Sequence, residues 1–163
     1  MDKGKANSVS IYEIMANLFA EIAAEVEGRF GAEGEEAMRT AVRKFGHDRG
    51  ELIAKAALND GKENTADNYL PYYDMERSEL FAAESTANKQ EIKQDFSKCI
   101  FAEAWMKSGM EKYGLYYCEE IDPAIASGYN KNFKCEHDKY FLKGDQNCTF
   151  RFYMEDQQGE ITK

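Results

Sequence analysis

Residues 134–154 read KCEHDKYFLKGDQNCTFRFYM. In the last seven, Cys148, Phe150, Phe152 and Met154 alternate with Thr149, Arg151 and Tyr153. That is the period of a strand with one apolar face. Lys134–Leu142 precedes it as a second strand, and Gly144-Asp145 supplies the turn chemistry between them. A C-terminal β-hairpin is therefore expected. With helices in the first half, it decides the fold class as α+β: long N-terminal helices packed on a mostly antiparallel sheet.

Outward from the hairpin, Tyr113–Cys118 is expected as a further strand because of its aromatics. Glu79–Ala83 and Glu91–Ser97 are candidate strands. Cys99–Ser108 reads as an inserted helix, with Ile100, Phe101, Ala104 and Trp105 apolar and Gly109 closing it. Asp122 is expected to cap a short helix with Pro123 in its first turn. Gln157 onward reads as a tail.

The first half keeps a helical period. Ser10 and Glu13 form a capping-box pattern, with Val9 and Ile14 as the staple. Ile11, Ile14, Met15, Leu18, Phe19, Ile22 and Val26 follow as the apolar stripe of a core helix, ended by Gly28 and Gly31. A second helix spans about Glu35 to Asn59. Its stripe of Met38, Ala41, Val42, Phe45, Leu52, Ile53 and Ala56 is interrupted at Asp48 and Arg49, between Gly46 and Gly50. Glycines inside a helix cost about 1 kcal/mol each, so a packing or site reason is expected: small-residue spacing lets another backbone approach. Asp48 and Arg49 are either an internal or snorkelling pair, or Arg49 points into a pocket and holds a ligand carboxylate. Residues 60–77, DGKENTADNYLPYYDMER, lose the period. They either cover a site or lay Tyr69, Tyr72 and Tyr73 on the core.

The 163 residues suit one domain, with a helical half over about 10–60 and a mixed half over about 78–156. A content of 43% hydrophobic and 13% aromatic residues supports a packed core and argues against disorder. The net charge of -9 repels phosphates and anionic lipid, so neither nucleic acid nor membrane is an expected partner. No apolar run approaches the roughly 20 residues of a membrane span, and the start has no signal-peptide pattern. A cytoplasmic chain with reduced thiols is expected.

The second half resembles the L-2-amino-thiazoline-4-carboxylic acid hydrolase family over about Asp95 to Phe152. The residues that carry the likeness are Cys99 opening a helix, Gly109, Gly114, Cys118, Asp122, Tyr129-Asn130, Gly144-Asp145, Cys148, Phe150 and Phe152. Where the family has an aromatic-Asn-Pro run, this chain has Tyr129-Asn130-Lys131. The Gly46–Gly50 segment is similar to the family's helical first half. The family also looks distantly like 4-vinyl reductase-type ligand-binding domains, which keeps a binding or regulatory domain without catalysis as the alternative.

The resemblance implies a hydrolase that opens a small cyclic isothiourea carboxylate towards cysteine. Such a reaction needs a nucleophile at the isothiourea carbon, an acid for the leaving atom and a cation for the carboxylate. Cys118 or Cys148 could attack directly if its thiol pKa is lowered. Alternatively, Asp122 or Asp145 activates water. Arg49 or Arg151 holds the carboxylate, and Asn130 donates a hydrogen bond to the developing charge. Plainer roles compete: Cys148 as a small core residue, Asp122 as a cap, Asp145 as a turn residue.

Cys118, Cys135, His137 and Cys148 also compose a Cys3His set, but without a Cys-x-x-Cys pair, so neither a metal nor any other cofactor is expected. A thiol-based metal or redox-sensing module is the second alternative. A small-molecule carboxylate is the expected partner, and a homodimer is left open.

Overall fold

The computed structural model describes residues 8–76 and 78–155; the expected tail from Gln157 lies outside the described residues. The architecture is α+β, as the change of period predicts. Helix α1 (Ile11–Phe30) starts at Ser10, whose hydroxyl accepts the Tyr12 N–H at 3.2 Å. Glu13 does not complete the expected capping box; its carboxylate accepts from Lys107 instead. Gly31 alone separates α1 from α2 (Ala32–Asn59), at φ 59° and ψ -135°, a conformation that suits glycine. The tyrosine-rich connection contains a short helix α3 (Ala66–Tyr69) and a 3-10 turn (Leu70–Tyr72).

Four strands form one antiparallel sheet: β1 (Phe81–Ala87), β2 (Glu91–Cys99), β3 (Phe133–Lys139) and β4 (Cys148–Met154), in the order β1-β2-β4-β3. The expected β3–β4 hairpin is present, its loop tightened by a 3-10 turn at Phe141–Lys143. Helices α4 (Ile100–Ser108), α5 (Glu111–Cys118) and α6 (Ile121–Tyr129) fill the span between β2 and β3.

Two expectations are corrected. Tyr113–Cys118 is the body of α5, not a strand. Its aromatics at 113, 116 and 117 meet helical i, i+3, i+4 spacing, and Gly114 lies so close to the Trp105 ring that a Cβ there would stand 2.5 Å from it. Helix α1 also buries the opposite face from the one its large side chains mark. Ala16, Ala20 and Ala23 are inside, while Ile11, Ile14, Met15, Leu18 and Ile22 are exposed. Small alanines let α1 come close to α4, where the Trp105 indole donates to the Ala16 carbonyl at 2.7 Å.

One core cluster joins α2, α6 and the sheet through Ile53, Ile125, Tyr129, Phe133, Ile92 and Phe152. A second joins α1, α4 and α5 around Trp105. The α2–α6 contact is backbone on backbone. A Cβ on Gly50 would stand 2.1 Å from the Ile125 oxygen, and one on Gly128 2.1 Å from the His47 oxygen. Gly46 rests on Ile121 and Ala124 in the same way. The small-residue spacing read in α2 thus has its packing reason. Outside this contact Arg39 and Arg43 reach Glu120, and Arg39 also reaches Glu119, tying α2 to the α5–α6 corner.

Gly50→Ala is expected to cost about 2–3 kcal/mol of stability or more, because rigid backbone must move. Gly28, with nothing within 4 Å of an added Cβ, is the control; Gly28→Ala should leave stability equal or higher. Urea midpoints measure both, and an unchanged midpoint for Gly50→Ala would show that the helix pair is not held by this contact.

Candidate functional site

A cavity of about 690 Å³ lies between the inner face of the sheet and α2, α4, α5 and α6. The sheet contributes Phe81, Phe96, Phe150 and Phe152, so the floor is aromatic. The strand alternation places these side chains inward and their neighbours outward. Cys99, Phe101, Cys118 and Cys148 add a sulfur-rich wall. The polar lining includes Arg49 of α2, Tyr73 of the tyrosine-rich segment, Tyr117 of α5 and Asp122 of α6.

Arg49 sits where the stripe of α2 is broken, and it turns inward. Its side chain is 14% exposed, whereas Asp48 is 61% exposed beside Lys44. The guanidinium donates through Nε and Nη2 to both oxygens of Asp74, at 2.9 and 2.7 Å. The rings of Phe45 and Tyr73 flank it, with centroids 5.6 and 5.5 Å from Cζ. Burial works against this charge, but the Asp74 bonds more than offset it, and Arg49 is held charged.

Asp122 follows Ile121 in the first turn of α6; the N-cap position is Glu120, so Asp122 is not the cap the sequence suggested. It lines the cavity. Burial pushes its carboxyl up to about 6, with the Arg49 guanidinium pulling the other way. Tyr73 and Tyr117, buried beside this pair, are both raised by desolvation and stay as phenols.

The thiols are poorly disposed as nucleophiles. Burial raises Cys118 well above its ordinary value, raises Cys99, and pushes Cys148 up to about 11. Cys118 ends a helix, with no cation paired to it in the described contacts, and neighbouring Cys99 and Asp122 add to the burial effect. Cys148 accepts the Phe141 N–H at 3.2 Å through its sulfur.

Four sequence candidates thus share one cavity: Arg49, Cys118, Asp122 and Cys148. Three stand outside it, a correction to the expected convergence. Asn130 donates to the Asn64 carbonyl and accepts from the Asn132 N–H, both at 2.9 Å, which clamps the end of α6. Asp145 accepts the Tyr140 N–H at 2.9 Å and shapes the hairpin loop. Arg151 alternates with Phe150 and Phe152 and so lies on the other sheet face, where it pairs with Glu91 and Glu136. Turn and strand chemistry had marked these three, and that chemistry occupies them.

The structure adds two residues that sequence reasoning did not single out, and places His137 of the Cys3His set in the cavity wall. Tyr117 had only its neighbour Cys118 as a signal, and Asp74 had none. His137 lines the cavity stacked between Tyr140 and Phe150, at centroid distances of 3.4 and 3.9 Å. Burial lowers it to about 4; the nearby Cys118 and Lys139 backbone favours the cation slightly, yet neither ring nitrogen has a partner of hydrogen-bond geometry among the described residues. The Cys3His set does not close. Among the described residues, the group whose ligand atoms approach as a metal site would require is His47, Asp48 and Glu51, all exposed on α2. No helix among the described residues is long and apolar enough to cross a membrane.

A family model described as L-2-amino-thiazoline-4-carboxylic acid hydrolase matches residues 11–152. Among solved structures, a trafficking protein particle complex subunit 3 from Naegleria fowleri, covalently bound to palmitic acid, superimposes with a TM-score of 0.54. That likeness covers 91% of this chain and 98% of the other at 17% identity, and it is one of fold. No curated protein matches significantly.

The raised carboxyl of Asp122 has a stability signature. Its folded pKa of about 6 exceeds the ordinary 3.8, so the folded state binds the proton more tightly. Its contribution is present below pH 4 and is lost as pH rises through 6, by about 2–3 kcal/mol. Asp122→Asn should flatten stability between pH 4 and 7 and raise it at pH 7. Chemical denaturation at the two pH values reads this, and parallel profiles for the two proteins would contradict it.

Proposed function

The chain belongs to the L-2-amino-thiazoline-4-carboxylic acid hydrolase family, and from that premise we propose that its cavity opens a small cyclic isothiourea carboxylate by hydrolysis, with Asp122 as the acid–base group. The observation that carries this reading is the pairing, across one cavity, of a proton-retaining carboxyl with a charged Arg49. A carboxyl titrating near 6 can take a proton and return it near neutral pH.

In the proposed step Arg49 binds the substrate carboxylate, which takes the place of Asp74 on the guanidinium. The Asp122 carboxylate removes a proton from water as the water oxygen bonds to the ring carbon between nitrogen and sulfur. The bond from that carbon to ring sulfur or ring nitrogen then breaks, and Asp122 returns the proton to the leaving atom. One water is consumed and no oxidant or reductant is needed. Tyr73 and Tyr117, kept as phenols, are donors for the developing charge. The raised thiol values favour activated water over attack by Cys118 or Cys148.

A second reading is favoured by size. The cavity is large for one five-membered ring and matches pockets that hold a drug-sized molecule. Its aromatic floor, and the palmitic acid covalently bound to the structural neighbour, support a binding domain for a molecule with an apolar acyl body, to which Arg49 adds a partner for a carboxylate head.

The test is turnover of L-2-amino-thiazoline-4-carboxylate, followed as loss of the ring and appearance of free thiol. Breaking the bond to sulfur releases a thiol, and breaking the bond to nitrogen consumes the ring without one. Asp122→Asn is expected to lower kcat by about a hundredfold or more, Arg49→Ala to raise KM, and Cys118→Ser to retain turnover. Because the base must be ionised, kcat should rise with pH through about 6 and then level. No turnover, together with a Tm raised by palmitic acid, would replace the hydrolase reading with the binding one.

A further inference from the structure

Helix α1 presents its large apolar side chains to solvent. Ala16, Ala20 and Ala23 are 3%, 0% and 0% exposed, while Ile11 is 62%, Ile14 48%, Met15 52%, Leu18 49% and Ile22 47% exposed. These five residues form one stripe about 100° wide, opposite the alanine face. They expose roughly 500 Å² of apolar surface in one place, at the upper range for a monomer. Neither residues 1–7, MDKGKAN, nor residues 156–163, DQQGEITK, has an apolar run that would match the stripe. Glu21 and Glu25 border it, and the chain's net charge is -9, so an anionic membrane is an unfavourable cover.

The spacing of the stripe fits a second copy of itself. Ile11, Met15, Leu18 and Ile22 are separated by 4, 3 and 4 residues, a sequence of steps that reads the same in both directions. We propose that α1 pairs antiparallel with α1 of a second copy about a two-fold axis between Met15 and Leu18. Ile11 then faces Ile22 of the second copy, and Met15 faces Leu18. Four of the five apolar side chains thus meet an apolar partner across the axis, as an isologous interface requires, and Ile14 flanks the seam at the edge of the stripe. In this register Glu25 falls opposite Ser8 of the second copy, just beyond the start of that helix, where the helix dipole favours a negative charge. The two stripes together cover about 1,000 Å², the lower bound for a stable interface, before rim contacts are added.

Sedimentation equilibrium of the full chain at micromolar concentration tests this. The expected mass is twice the 18.6 kDa of one chain. Leu18→Glu should halve it while leaving the circular dichroism spectrum unchanged. Should Leu18→Glu fail to fold, Ile11→Glu makes the same test at the first residue of the helix, where an acid favours the fold. The register is read by disulfides: Ile11→Cys protein mixed with Ile22→Cys protein should cross-link under mild oxidation, whereas Ile11→Cys protein alone should not. A monomeric wild type overturns the proposal, whether or not it binds phosphatidylcholine vesicles. So does a dimer that survives the glutamate, or one that cross-links Ile11→Cys to itself.

Discussion

The absence of side chains between α2 and α6 governs the geometry of this protein. Gly46 and Gly50 on one helix and Gly128 on the other bring two backbones to a separation no Cβ permits. The functional groups are attached to this contact. Arg49 is the residue before Gly50, and Asp122 follows Ile121, whose carbonyl oxygen lies against Gly46. The backbone positions that carry guanidinium and carboxyl are therefore set by the helix pair, and Asp74 of the connecting segment orients the guanidinium itself. Three glycines in helices weaken those helices intrinsically. The second core, around Trp105, and the Arg39 and Arg43 ion pairs brace the same helices from the outside.

Electrostatics inside the cavity follow from enclosure in an acidic chain. Removing a carboxyl from water raises its proton affinity, and the same removal raises thiols and phenols. Asp122, Cys99, Cys118, Cys148, Tyr73 and Tyr117 all move in that direction. Arg49 is the opposing charge, and it acts on Asp122 more than on the sulfurs, which meet mainly one another and nearby acids. The result is one carboxyl that can exchange a proton near neutrality, beside thiols that burial and that same carboxyl hold protonated.

Much of the fold was legible because period reports on burial. The β3–β4 hairpin, helix α1 and the inserted α4 each carry an unbroken pattern, and α2 keeps its period on both sides of the break at Asp48 and Arg49. Helix α5 was not legible as a helix, because YGLYYC is equally rich in strand-favouring aromatics, and what decides it is Trp105 packing on Gly114. Helix α1 misled in another way. Its stripe correctly marks a helix, but period alone does not say which side meets the core when the other side is alanine. The site was half legible. Arg49 announced itself by breaking an apolar stripe between two glycines. Asn130, Asp145 and Arg151 were marked by turn and strand residues around them, and a turn residue's polar atoms are often consumed by the turn. Asp74 gave no signal and Tyr117 only that of its neighbour Cys118, since their relevance comes from residues distant in the chain.

The bond between Arg49 and Asp74 alters how the cavity meets a ligand. Both nitrogens that would grip a carboxylate already grip one, in the two-point geometry a carboxylate offers. On the proposed reading, an acid would enter by exchange, one carboxylate for another, and the charge arithmetic of that swap is close to neutral. Small spherical anions, which cannot span the fork, compete poorly. In that reading the head group would serve as an admission ticket common to all carboxylic acids. Discrimination among them falls to the body behind the carboxylate and its fit against the phenylalanine floor.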